Sequence, residues 1–186
     1  MIMEREPDYV YKCVVVGDYA VGKTSLISRF IQKKFLKEYK PTLGVNLILK
    51  ELNITDTNGK EILVNLVLWD VAGQEKYDRV RQLYYKGCSA AMLVYDITRV
   101  ETFQNLEKKW LKDFTENASK DALYMVVGNK ADLEDMKKVS TEMGQELSDR
   151  ITAISFIETS AKDGTNVDEA FLDLIKKLLE QAGEYV

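Results

Sequence analysis

GDYAVGKT, residues Gly17 to Thr24, decides the fold of this chain. It fits G-x-x-x-x-G-K-[ST], in which glycine lets the backbone approach an anion with no Cβ in the way. The run from Asp18 through Tyr19, Ala20, Val21, Gly22, Lys23, Thr24 and Ser25 would wrap its N–H groups around phosphate oxygens. Lys23 would place a point charge on the β- and γ-phosphates, and the Thr24 hydroxyl is a hard oxygen ligand for Mg²⁺. The preceding segment, Tyr9 to Val16, ends in Val14, Val15 and Val16, apolar on both faces as in a buried central strand. The segment that follows sets Leu26, Ile27, Phe30 and Ile31 on one face of a helix. Strand, glycine-rich turn and helix in that order point to a nucleoside triphosphate held at the positive end of a helix dipole. The motif does not say which nucleotide.

Outward from this unit, a lysine-rich stretch through Pro41 reads as a loop. Val45 to Ile54 alternates like a half-exposed strand, and Asn58-Gly59 offers two residues that tolerate positive φ in a tight hairpin turn. Ile62 to Trp69 would return antiparallel. Further apolar strands run from Ala90 to Tyr95, Tyr124 to Val127 and Ile154 to Ile157, with helices beginning near Glu101, Thr141 and Val167. Thr98 with Glu101, and Asn166 with Glu169, have the spacing of a capping residue and its reciprocal acid. With the P-loop between its first strand and helix, the pattern predicts an α/β fold. Its sheet would be six-stranded and mostly parallel, with one antiparallel strand in the hairpin 45–69 and helices on both faces. Without repeats or linkers, a single domain over residues 1–186 is expected, its core about 9–180 between short flexible ends.

Composition narrows the chemistry. The 186 residues are 46% apolar and 30% charged, an ordinary globular balance, and the net charge of −4 lacks the basic excess of a nucleic-acid-binding surface. The two cysteines, Cys13 and Cys88, argue for a reducing compartment and against a disulfide scaffold or zinc site. There is no histidine, which removes Ser-His and Cys-His dyads and most metal sites. Catalysis must run on carboxylates, amides, lysine and a cation from solution. No signal peptide and no apolar run of roughly 18 residues is present, so a cytoplasmic location is expected. The sequons at Asn53 and Asn117 are then chance matches.

NKAD, Asn129 to Asp132, follows an apolar strand. Alone it would suit a solvated turn, but the carboxyl end of a strand is where open α/β sheets bind ligands. An Asp132 carboxylate can accept from N1–H and the exocyclic amine of guanine, a donor pair that adenine lacks. The last strand runs into ETSAK, Glu158 to Lys162, where N–H groups near Ser160 and Ala161 could donate to the guanine carbonyl. The two segments together favour guanine over adenine.

WDVAGQE, Trp69 to Glu75, supplies the hydrolytic elements. Asp70 is expected to hold Mg²⁺ through water, Gly73 to offer its N–H to a γ-phosphate, and Gln74 to orient the attacking water as donor and acceptor at once. Thr42 is the one Ser or Thr between Phe35 and Val45, and would cap Mg²⁺ with its hydroxyl and the γ-phosphate with its N–H. The expected catalytic group is thus Gln74, Lys23 and Thr42, with Thr24, Thr42 and Asp70 around the metal. Two charge-assisted hydrogen bonds of roughly 1.5–3 kcal/mol each compare with the about 5.5 kcal/mol that turns a 1:99 equilibrium into 99:1. Losing the γ-phosphate can therefore release both loops.

GDYAVGKT, Thr42, DVAGQ, NKAD and SAK, in this order, resemble the Ras superfamily over about Tyr9 to Leu179. LGVNL, WDVAGQEKY, YYKGC and LVYDIT resemble its Rab branch. The resemblance implies a P-loop NTPase G domain, a small GTP-binding switch that binds GTP or GDP with Mg²⁺, hydrolyses GTP slowly and controls effector binding, in Rab-like membrane traffic. It implies that Phe35 stacks across guanine, that the Lys130 and Lys162 stems cover its faces, and that Tyr39 closes over the phosphates. Surfaces near 39–47 and 73–85 would meet exchange factors, GTPase-activating proteins and effectors. Tyr19 and Ala20 depart from the smaller residues of many relatives, and Tyr19 would either crowd an incoming arginine or cover the phosphates. No arginine lies between Phe35 and Thr42, so turnover should be slow, with room for a roughly 10³–10⁵-fold boost in trans. With no cysteine after Cys88, no prenyl motif is visible, and membrane contact would come through partners. A monomer is expected. The alternative reading is a GTP-binding scaffold that does not hydrolyse; a nucleotide kinase would want an arginine-rich lid that the sequence lacks.

Overall fold

The computed structural model describes residues 5–33, 42–74 and 77–186. β1 (Tyr9–Val16) and α1 (Lys23–Gln32) are followed by β2 (Val45–Thr55), β3 (Glu61–Val71) and α2 (Asp78–Tyr85). β4 (Ala90–Asp96) leads into α3 (Val100–Asn105), a π-helical turn over Leu106–Leu111, and α4 (Lys112–Asn117). β5 (Leu123–Asn129), a 3₁₀ turn over Ala131–Met136, α5 (Thr141–Arg150), β6 (Phe156–Thr159) and α6 (Val167–Gln181) complete the chain.

The strands form one six-stranded sheet in the order β2-β3-β1-β4-β5-β6. β2 pairs antiparallel with β3, and every other neighbouring pair is parallel. The alternation of apolar side chains along the central strands sorts them to two faces. Cys13, Val15, Met92 and Val94 join Leu26, Phe30, Phe171 and Leu174 of α1 and α6 in one core. Val14, Val16, Leu93 and Tyr95 join Tyr85, Leu106, Trp110, Phe114 and Leu147 of the helices opposite. β1 lies between β3 and β4; the chain leaves the end of β1 toward α1 on one face and the end of neighbouring β3 toward α2 on the other. That is the switch point where α/β sheets open a crevice.

Several local readings need correction. β3 runs to Val71, so Asp70 is a strand residue with backbone pairing to β2 rather than part of the following loop. β6 sits two residues later than expected, over Phe156–Thr159, which sets Thr159 opposite Asn129. The hairpin turn has positive φ at Gly59 but not at Asn58. Asp56 Oδ1 accepts from the N–H groups of Asn58 and Lys60 at 2.8 and 2.7 Å, and this side-chain turn replaces the tight two-residue one. Neither expected capping box forms. Thr98 donates its hydroxyl to Asp96 Oδ1 (2.6 Å), and α3 starts at Val100 with Arg99 as an N-cap that makes no side-chain cap hydrogen bond. Asn166 sits at φ 55 and donates its amide to the Glu158 carbonyl (2.8 Å) instead of accepting from α6. The cap that does form is Ser140 on α5, accepting from Met143 N–H. No described helix is long and apolar enough to cross a membrane.

Candidate functional site

At the end of β1 the chain turns through Gly17 to Gly22 and enters α1 at Lys23 with no side-chain cap and no acid in its first turn. The first N–H groups of such a helix have no intrahelical acceptor, and the dipole adds partial positive charge. Gly22 has φ 101, and a Cβ there would lie 2.3 Å from Asn129 Nδ2, so only glycine lets the end of β5 approach this loop. Gly73 is the other close approach: a Cβ on it would sit 2.6 Å from backbone atoms of Asp18 and Tyr19.

Lys23 is buried, and its ammonium donates to the carbonyls of Gly17 (2.7 Å) and Asp18 (2.8 Å). Burial pulls its pKa down to about 8, against the charges of Asp70 and Asp18. Thr24 donates its hydroxyl to Asp70 Oδ2 at 2.6 Å, and the Thr24 and Thr42 hydroxyl oxygens are 2.8 Å apart. Asp70 is buried, which raises its carboxyl above the ordinary value despite the Thr24 hydrogen bond and the Lys23 charge, and its Oδ1 has no partner. Two hydroxyls and a carboxylate with a spare buried oxygen make an all-oxygen set that fits Mg²⁺. No cluster of three or more His, Cys, Asp or Glu suited to a metal occurs among the described residues.

The other wall is built by β5 and β6. Asn129 is buried; it donates to the Val21 carbonyl (2.9 Å) and accepts from Thr159 Oγ1 (3.1 Å) and Ala161 N–H (3.3 Å). Ala161 N–H, expected at the base carbonyl, is thus engaged with Asn129 through a long bond. Asp132 accepts from Ser160 Oγ at 2.7 Å, with Lys162 Nζ 3.5 Å from its other oxygen. Lys130, at φ 72, pairs with Asp96 at 2.6 Å. Phe35 and Tyr39 lie outside the described residues. Ala20 has φ 61, Ser25 is in the first turn of α1, and Gln74 lies just past Gly73, its carbonyl accepting from Tyr77 N–H.

Sequence reasoning missed the residues that lock these walls together. Arg99 donates to the Tyr19 carbonyl (2.8 Å) and pairs with Asp96, so the loop after β1 is tied to Lys130 through two charges. Arg29 of α1 donates to the carbonyls of Ala161 and Lys162. Asp18 accepts from Asn105 and Trp110. Apart from the Arg99–Asp96 pair, three residues apart, none of these has a local signature, because each partner is distant along the chain. The Tyr19 side chain is exposed.

A Ras family model matches residues 12–180 of this chain. The Ras-related protein YPTC6 of Chlamydomonas reinhardtii is 42% identical over 171 residues, covering 92% of this chain and 76% of that protein. The Ras-related proteins RABA2d and RABA1c of Arabidopsis thaliana are 39% and 38% identical, over 95% and 97% of this chain and 78% and 84% of their own.

Proposed function

The chain belongs to the Ras family, Rab-like within it, and is a GTPase; we propose that it is a slow, timed switch whose chemistry runs on Gln74, Lys23 and Thr42. The observation that carries this is the junction of Lys23, Thr24, Thr42 and Asp70 beside the uncapped start of α1. Residues 17–25 hold the phosphates. Lys23, whose ammonium donates to two loop carbonyls, turns its charge onto the β- and γ-phosphates. Thr24, Thr42 and Asp70 would hold Mg²⁺, which supplies charge stabilisation to the transferring phosphoryl group.

Gln74 aligns a water with the γ-phosphorus. The water oxygen forms the new P–O bond as the bond to the β-phosphate oxygen breaks. GDP leaves with the electron pair; one water proton stays on the oxygen that attacked and the other passes to a second oxygen of the released phosphate, giving H2PO4⁻. With no histidine in the chain, alignment and charge rather than a strong base carry the rate. Asp132, Asn129, Lys130, Ser160, Ala161 and Lys162 bind the guanine, with Phe35 and Tyr39 closing over the nucleotide. Gly73 and Thr42 N–H groups read the γ-phosphate, so its loss frees the surfaces near 39–47 and 73–85 for a different set of partners. Across the two states these surfaces meet exchange factors, GTPase-activating proteins and effectors, presented by a cytoplasmic monomer that works in membrane traffic.

Single-turnover GTP hydrolysis with Mg²⁺ tests the assignment on the native protein, Gln74→Leu and Tyr19→Gly. Slow phosphate release that collapses in Gln74→Leu supports it, and a faster Tyr19→Gly identifies Tyr19 as a restraint. Unchanged release in Gln74→Leu removes Gln74 from the mechanism.

A further inference from the structure

Asp18 is the second residue of the phosphate loop, yet both of its carboxylate oxygens are taken from outside the loop. Trp110 Nε1–H donates to Oδ1 at 2.7 Å and Asn105 Nδ2 donates to Oδ2 at 2.7 Å. The same residue's carbonyl accepts from Lys23 Nζ at 2.8 Å, and that ammonium lies 6.0 Å from the centre of the Trp110 ring. Whatever fixes the Asp18 side chain therefore fixes the backbone that Lys23 leans on.

The helix that supplies these donors departs from α geometry where it must. Residues five apart lie about 140° apart around an α-helix, on different faces. Asn105 and Trp110 are five apart, and the segment between them, Leu106–Leu111, is a π-helical turn. An i→i+5 turn brings such a pair onto one face, and single π turns are frequent at functional sites. Trp110 is also closed off from water on its other side. The fully buried Arg81 guanidinium lies 4.3 Å from the indole centre and donates to Asp113 at 2.8 Å. Two donors to one carboxylate, shielded by a buried indole, form a strong and directional clamp.

We propose that Asn105 and Trp110 are positioning residues of the GTPase reaction, holding the phosphate loop in its nucleotide-binding shape through a two-donor clamp on the Asp18 carboxylate. Neither residue belongs to a phosphate, metal or base motif, and neither touches substrate. The proposal rests on residues 17–25 being the phosphate site. Without the clamp, the loop's first turn and the Lys23 ammonium lose their common anchor, and the nucleotide is held less firmly.

The test measures release of a fluorescent GDP analogue in excess Mg²⁺, together with single-turnover hydrolysis. Trp110→Phe keeps an aromatic side chain, smaller than indole, and removes the N–H, Asn105→Ala removes the second donor, and Asp18→Asn with Asn105→Asp exchanges donor for acceptor across one hydrogen bond. Each single change should speed release about tenfold, the size expected for a lost hydrogen bond to a charged group. The exchanged pair should recover most of that loss, which a purely structural role would not predict. Release within twofold of wild type in both single variants overturns the clamp. If Trp110→Phe does not fold, Asn105→Ala decides, since that side chain is only half-buried. A wild-type protein that does not retain the GDP analogue overturns the phosphate-site reading itself, and is told apart from failure of the clamp by that control.

Discussion

Asp132→Asn tests the base assignment with least damage to the fold. Asp132 Oδ1 accepts from Ser160 Oγ at 2.7 Å, and an asparagine oxygen keeps that bond. Its Oδ2 lies 3.5 Å from Lys162 Nζ, whose side chain is mostly exposed, so losing this ion pair matters little. The change instead falls on the ligand. A carboxylate accepts from guanine N1–H and the exocyclic amine in two charge-assisted bonds, together roughly 3–6 kcal/mol. That predicts GTP binding weaker by roughly 10²–10⁴-fold at 1.4 kcal/mol per decade. Xanthosine triphosphate carries a carbonyl where guanine has the amine, and the new amide can donate to it, so its affinity should rise. Competition of both nucleotides against a fluorescent GDP analogue reads the two effects together. GTP affinity within threefold of wild type, or no gain for xanthosine triphosphate, would refute the reasoning.

Gln74→Leu should slow single-turnover hydrolysis by roughly 10²-fold while nucleotide affinity stays within a few-fold, because what is lost is alignment of water rather than a binding contact. Phe171→Ala removes a fully buried ring stacked on Phe30 at 4.2 Å between centres; denaturant unfolding should show a loss of about 3–5 kcal/mol. Asp96 is buried, which pushes its carboxyl up, but hydrogen bonds from Lys130 and Thr98 outweigh this and hold it below 3.8. The unfolded chain then binds the proton more readily, so this group's stabilisation is present above the unfolded value and is lost as pH falls through the folded one. Asp96→Asn should flatten the acid side of the stability profile, read as urea midpoints from about pH 6 down to about pH 3.

Much of the architecture was legible because it is periodic. Val14, Val15 and Val16, and the apolar face of α1, announce a buried strand and its helix, and the phosphate loop between them is a contiguous string. The local errors share one cause. Thr98, Asn166 and Asn58 each have the right type and spacing for a cap or tight turn, but a competing acceptor or donor on Asp96, Glu158 or Asp56 takes the hydrogen bond. α2 escaped notice within a stretch read for its chemistry. The π turn has no propensity signal at all.

Residue type alone set the chemistry on offer: oxygen groups at Thr24, Thr42 and Asp70, an ammonium at Lys23, an amide at Gln74, and no imidazole anywhere. Those follow from residue type and short spacing, which the linear chain carries in full. Tertiary structure alone decided what holds the parts in register. The β5–β6 offset places Thr159 against Asn129, Arg99 joins Tyr19 to Asp96, and a π turn aims Asn105 and Trp110 at Asp18. Such contacts depend on where distant segments meet, and the partners of Asp18 lie 87 and 92 residues away along the chain. A hydrogen bond is only as readable in a sequence as the distance between its ends is short.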